Sequence, residues 1–208
     1  FSRRLGDFLR AQTEKRWAHD YGYEADELTG RTLLIIGAGS IGSEIARKAK
    51  AFDMTVYGIK NDPVPLEHFD RVAGTDALHG FLAESDYNVV ITPLTARTYR
   101  MIGEKEFKAM KNSSIFINVS RGDTVDEAAM IEALRRGEIA GAGLDVFRDE
   151  PLPVSSPLWD MKNVFITPHM AGMSPHYMER AMEVFCDEFV AYRGGEKLRN
   201  VIGLDRGY

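Results

Sequence analysis

Three residues able to do chemistry on a small acid follow apolar runs in the second half of this chain: Arg121 in Ser120-Arg121-Gly122, Glu150 in Asp149-Glu150-Pro151, and His169 after Pro168. An imidazole titrates near neutrality and can give or take one proton. A guanidinium is a planar, permanently charged fork that can hold a carboxylate and polarise a carbonyl. A carboxylate beside an imidazole favours its protonated form. Together they suit reduction of a carbonyl or oxidation of a secondary alcohol. Each also has a plainer reading: an Arg before Gly as a surface turn, a Glu before Pro as loop solvation, a lone His as structure. What raises them above it is position, because each lies just past the carboxyl end of an expected strand, where open α/β sheets bind their ligands.

A fourth segment shares that position. Gly37-Ala38-Gly39-Ser40-Ile41-Gly42 is G-x-G-x-x-G, placed after the apolar run Thr32–Ile36 and before a helical pattern from Ile41 to Phe52. The first glycine permits a tight turn, the second lets the backbone approach a pyrophosphate, and the third lets the helix pack on the sheet. A glycine turn alone is weak evidence; the strand-turn-helix context points to dinucleotide binding. An acidic residue is expected about 20 residues further on to bind the adenosine ribose. Lys60-Asn61 stands there instead. A lysine would pair with the extra phosphate of NADP, so NADP is favoured over NAD. The competing possibility is a solvated Lys60, with Asp62 on the ribose.

The elements that must position these groups alternate. Strands are expected at Thr32–Ile36, Thr55–Ile59, Asn88–Thr92, Ser114–Val119, Ala140–Val146 and Asn163–Thr167, with helices at Leu78–Glu84, Glu104–Met110 and Asp126–Arg136. This pattern predicts an α/β fold, Rossmann-like and doubly wound, with a mostly parallel sheet and helices on both faces. A first helix, capped by Ser2, is expected to run from Leu5 towards Trp17, either as a surface helix or as an arm against another domain or subunit. A last helix is expected with Ser174 as N-cap, Pro175 at its first position and Gly194-Gly195 at its end. Its face of Met178, Ala181, Met182, Phe185 and Phe189 reads as core, as does Cys186.

The segments Ile117–Gly122, Ala142–Phe147 with Glu150-Pro151, and Thr167-Pro168-His169 resemble the D-isomer-specific 2-hydroxyacid dehydrogenases. The glycine loop and Thr92-Pro93-Leu94-Thr95 fit the same pattern in the same order, so the resemblance covers almost the whole chain. It implies that Arg121 binds the substrate carboxylate and carbonyl, that His169 is the acid/base, and that Glu150 hydrogen-bonds His169. It further implies cofactor contacts at Ser40, Ile41, Thr95, Val119 and Asp145, the last on the nicotinamide carboxamide. With Gly37, Gly39 and Gly42 of the loop, Lys60 and Asn61 after the second strand, and Pro93, Leu94 and Ser120, these make up the expected cofactor site, and no metal is expected. The implied reaction is hydride transfer between NADP or NAD and a small D-2-hydroxy or 2-oxo acid of the glyoxylate or hydroxypyruvate type. Glu150 sets aside the family's formate-oxidising branch, which carries Gln beside its His. The family also includes co-repressor-like, cofactor-sensing modules, which remain an alternative, as does a dimerisation platform built on the first helix.

Two departures from the family stand out. Lys60 replaces an acidic residue, and a substrate-domain segment of about a hundred residues, typical of one small domain, is missing before the cofactor domain. The chain therefore divides into a dinucleotide-binding domain over residues 1–197, with 1–20 as an interdomain or dimer arm, and a tail over 198–208 returning to the missing domain. At 208 residues, 44% apolar and 27% charged, with net charge -5, it has the composition of a globular domain. No basic block suggests nucleic acid, and no apolar run approaches transmembrane length. One cysteine and nine methionines fit a reducing, cytoplasmic setting, and the resemblance implies a homodimer.

Overall fold

The computed structural model describes residues 1–18, 25–201 and 203. They fall into two compact units, Phe1–Pro168 and His169–Tyr208. The first is built on β1 (Thr32–Ile36), β2 (Thr55–Ile59), β3 (Arg71–Ala73), β4 (Tyr87–Val90), β5 (Ile115–Asn118), β6 (Gly141–Leu144) and β7 (Val164–Ile166). These strands form one sheet in the order β3-β2-β1-β4-β5-β6-β7, and every neighbouring pair is parallel. The doubly wound expectation therefore holds, with a sheet that is wholly rather than mostly parallel.

The apolar run of β1 explains why the sheet is covered on both sides. Leu34 and Ile36 face one core with residues of α3 (Leu78–Glu84), α4 (Glu104–Ala109) and α5 (Glu127–Arg136). Leu33 and Ile35 face a second core with Ala46 and Ala49 of α2 (Ser40–Lys50). A strand with no solvent face has no reason to alternate. Phe1, ahead of α1 (Leu5–Thr13), packs edge-on against Phe165 of β7, with ring centres 4.6 Å apart. The expected limits of β1, β2 and α3 coincide with the observed ones, and α5 starts where Asp126 Oδ1 accepts the Ala129 N–H at 3.2 Å.

Several expectations are corrected. β3 is absent from the expected strands; it is three residues long at a sheet edge, with Arg71 exposed. The first helix ends at Thr13 and is capped by Arg4 in a left-handed conformation (φ 53°), not by Ser2. The Ser2 carbonyl accepts the Asp26 N–H at 2.8 Å instead. Residues 19 and 20 of the proposed arm lie outside the described residues, as do 202 and 204–208 of the tail.

The second unit holds α6 (Tyr177–Gly194). Its N-cap is His176, not Ser174. Ser174 Oγ accepts the His176 N–H at 3.1 Å, so serine and proline shape the turn before the helix rather than its first residue. Gly195 ends it in the left-handed conformation (φ 70°). The face expected to be core is exposed: Met178, Met182, Phe185 and Phe189 are each at least half accessible, and Cys186 is exposed as well. The helical spacing of the apolar residues is real, but a unit with one helix offers nothing of its own to bury them.

Candidate active site

The strand order reverses between β1 and β4, and at such a switch point the connections diverge and leave a crevice at the carboxyl edge. The glycine loop lines one side. Gly37 has φ 112°, and a Cβ there would stand 2.9 Å from the backbone carbon of Ile91, just past β4. The N–H groups of Gly37 and Ala38 both donate to the Ile59 carbonyl at 3.0 Å, which pins the loop to the end of β2. A Cβ on Gly42 would lie 2.5 Å from the Gly37 carbonyl oxygen, so this glycine lets α2 sit down on its own turn. At Gly39 a Cβ would meet nothing within 4 Å, so this glycine borders open space in front of the helix. Ser43 is the first residue to donate along the helix, to Gly39 at 2.8 Å. The N–H groups of Ser40, Ile41 and Gly42 precede that bond and belong to the unladdered first turn. An open approach, unladdered donors and no acidic residue in the first turn fit the pyrophosphate of a dinucleotide.

Lys60 follows β2, and its Nζ donates to the Ala38 carbonyl at 3.3 Å. Its ammonium thus sits against the glycine loop rather than out in solvent. Asn61 and Asp62 are exposed beside it. Across the crevice, the loop after β4 carries Pro93, Leu94 and Thr95. It is held by Thr98, whose Oγ1 donates to the Pro93 carbonyl at 2.6 Å and accepts the Thr95 N–H at 2.8 Å.

The loops after β5 and β6 are interlocked. Val119 donates its N–H to Val90 at 3.3 Å, and Asp145 donates its own to Asn118 at 3.0 Å. Gly122 packs directly on the Phe147 carbonyl, with no room for a Cβ. Glu150 Oε1 accepts the Phe147 N–H at 3.0 Å, so the carboxylate is anchored by the same residue that touches the Arg121 loop. Arg121 is exposed, and its Nη1 donates to the Ser120 carbonyl at 2.7 Å. Ser120 is buried, with its hydroxyl against Asn118 Oδ1 at 2.9 Å and Thr124 Oγ1 at 3.1 Å. Asp145 is buried at the end of β6, where its Oδ1 accepts the Thr167 hydroxyl at 2.5 Å.

The first unit therefore gathers the glycine loop, Lys60, Pro93–Thr95, Val119, Arg121, Asp145 and Glu150 along one edge of the sheet. His169 opens the second unit, exposed and in the left-handed conformation (φ 51°). Among the described residues, no group of three or more His, Cys, Asp or Glu could hold a metal ion, and no helix is long and apolar enough to cross a membrane. The roles of Asn118, Thr98, Thr124 and the Phe147 amide in holding these loops are not legible in the residue types alone. The one signal the sequence carries is a polar Asn at the end of the run Ile115-Phe116-Ile117.

Comparison with known proteins gives this geometry its relatives. Glyoxylate reductase of Korarchaeum cryptofilum is 38% identical over 209 residues, which is 98% of this chain and 62% of that protein. A D-isomer specific 2-hydroxyacid dehydrogenase of Xanthobacter autotrophicus, solved with NADPH and MES, superposes with a TM-score of 0.88 at 38% identity, covering 100% of this chain and 84% of that one. The NADPH-dependent glyoxylate/hydroxypyruvate reductase of Sinorhizobium meliloti, solved with NADP and sulfate, gives a TM-score of 0.89 at 28% identity, covering 100% of this chain and 65% of that one. The chain thus spans about three fifths of the length of the glyoxylate reductase it matches. Residues 1–171 match the family model of the D-isomer specific 2-hydroxyacid dehydrogenases, NAD binding domain, and the chain belongs to that family.

Proposed function

We propose that this protein is a reductase of small 2-oxo acids of the glyoxylate or hydroxypyruvate class, with NADP(H) preferred over NAD(H). The observation that carries the cofactor preference is the Lys60 ammonium, 3.3 Å from the Ala38 carbonyl where an acidic residue would repel a 2′-phosphate. The relatives solved with NADPH and with NADP support the same choice. When bound, the nicotinamide supplies the hydride that reduces the carbonyl. The first-turn N–H groups of α2 take the pyrophosphate, and Pro93–Thr95 and Val119 flank the dinucleotide. Asp145, oriented by Thr167, takes the carboxamide. Ser120 contributes through the loop backbone, its hydroxyl being engaged inside the protein.

In the same proposal Arg121 holds the substrate carboxylate and polarises the carbonyl, while His169 gives the proton that the new hydroxyl needs. Glu150 supports the imidazolium. A homodimer formed through α1 also belongs to this reading, since Leu5, Phe8 and Leu9 stay exposed on that helix. The test is His169→Ala in the protein with its natural flanking sequence. Turnover of glyoxylate should fall by about 10²–10⁴-fold, with the NADPH dissociation constant nearly unchanged. Loss of cofactor affinity in parallel with turnover would make His169 structural and remove it from the mechanism.

A further inference from the structure

The direction of the Arg121 side chain is set by backbone that Arg121 does not control. Its side chain is exposed and, among the described residues, hydrogen-bonds only to the Ser120 carbonyl, so its aim depends on a main chain fixed at φ -142° and ψ 147°. Three donors converge on the Arg121 carbonyl. Thr124 Oγ1 donates at 2.7 Å, Asn118 Nδ2 at 3.1 Å and the Thr124 N–H at 3.2 Å. Thr124 and Asn118 are both buried, at 0% and 2% exposure, so water does not compete for these bonds.

The proton count singles out the threonine. Thr124 and Ser120 have one hydroxyl proton each. With the Thr124 proton on the Arg121 carbonyl, the Ser120 proton serves either Asn118 Oδ1 or Thr124 Oγ1. The Thr124 hydroxyl is the shortest tie on the Arg121 carbonyl, and with the Asn118 side chain, whose Oδ1 accepts the Ser120 N–H at 3.0 Å, it links that carbonyl to Ser120. The same residue fastens the loop outward, because its carbonyl accepts the Ile102 N–H at 3.2 Å.

We infer that Thr124 is a positioning residue for substrate binding, acting through the Arg121 carbonyl to hold the guanidinium where a carboxylate can reach it. This rests on the reading of Arg121 as the substrate anchor. Thr124→Val keeps the shape and the backbone bond and removes the hydroxyl, after which Ser120 can still donate to Asn118. In the protein with its natural flanking sequence, KM for glyoxylate should rise about fivefold, as expected for one lost hydrogen bond, with kcat changed less and the NADPH dissociation constant unchanged. The ¹³C′ resonance of Arg121 should shift, and Thr124→Ser should restore both KM and that resonance. Thr124→Ala supplies the same comparison should the valine variant fold poorly.

A moved Arg121 resonance with unchanged KM would overturn the inference while leaving Arg121 as anchor. KM and cofactor affinity worsening together would reduce Thr124 to a structural residue. Arg121→Ala with unchanged KM would overturn the anchor reading itself, and this inference with it.

Discussion

Gly122 rests its backbone directly on the carbonyl of Phe147, and the two strand-end loops that carry Arg121 and Glu150 meet at that contact. Nothing larger than hydrogen fits between them. Arg121 precedes the glycine, and the Phe147 amide holds Glu150, so the spacing of the two charged groups depends on one missing methyl.

Gly122→Ala is expected to lower stability by about 1–3 kcal/mol or more, because backbone cannot move aside as a flexible side chain can. Gly80→Ala makes the control. Gly80 lies inside α3, exposed, where a Cβ meets nothing within 4 Å, so that change should add about 0.5–1 kcal/mol. Urea unfolding of both variants should give midpoints that move in opposite directions at similar slope; equal shifts would contradict the packing described.

Asn88 has no exposed surface, and among the described residues neither polar atom of its side chain has a hydrogen-bond partner. On β4 it lies opposite Leu34 on one side and Phe116 on the other. A buried amide in such company costs more than it returns. Asn88→Val should raise stability by about 1–2 kcal/mol, read as a higher melting temperature. A lower one would mean that the amide is satisfied within the core.

Asp70 gives a pH dependence. Its Oδ2 accepts the Val56 N–H at 2.7 Å and Lys50 Nζ at 2.6 Å. Burial works to raise its carboxyl, but Lys50 and the amide outweigh it and hold the group below its ordinary value of 3.8. A depressed folded value means that the unfolded chain takes up the proton first as pH falls. The stabilisation is therefore complete well above pH 3.8 and lost below it. Asp70→Asn should be less stable than the parent at pH 7, with the gap closing under acid. A gap constant from pH 7 to pH 3 would count against this ion pair.

Lys60→Ala should weaken NADPH binding about tenfold, the size of one charge-assisted contact, and leave NADH nearly unaffected. Calorimetric titration of each cofactor at fixed salt reads this directly. Equal weakening of both would assign Lys60 to holding the Ala38 carbonyl alone.

Where side chains are buried on both sides, the sequence speaks plainly. After their opening threonines, Leu33–Ile36 is apolar without a break and Val56–Ile59 is interrupted only by Gly58, and both are followed at once by glycine or polar residues. β3 had no such contrast, since three residues with an exposed arginine look like any loop. The α6 stripe misled for the opposite reason. Its period reports only that one side of the helix is apolar and says nothing about what lies against it. The site divided in the same way. Glycines and charged groups announced themselves by type, while the Asn118–Ser120–Thr124 network joins residues whose individual types are ordinary in loops. Its meaning comes from distances of 2.7–3.1 Å that spacing does not encode.

The wholly parallel sheet has a kinetic side. No two adjacent strands can be joined by a hairpin, so no pair forms by closing a tight turn. β1 and β4, which flank the crevice, are paired across a long loop; Thr32 and Asp86, bonded at their amino ends, are 54 residues apart. Closing such a loop costs entropy before any contact rewards it. The crevice is thus expected to be slow to form, and a partly folded chain in which β4 has yet to pair would present β1 with one edge open. Refolding should be slow for a domain of this size, and substitutions that weaken the β1–β4 pairing should prolong the lifetime of that aggregation-prone state.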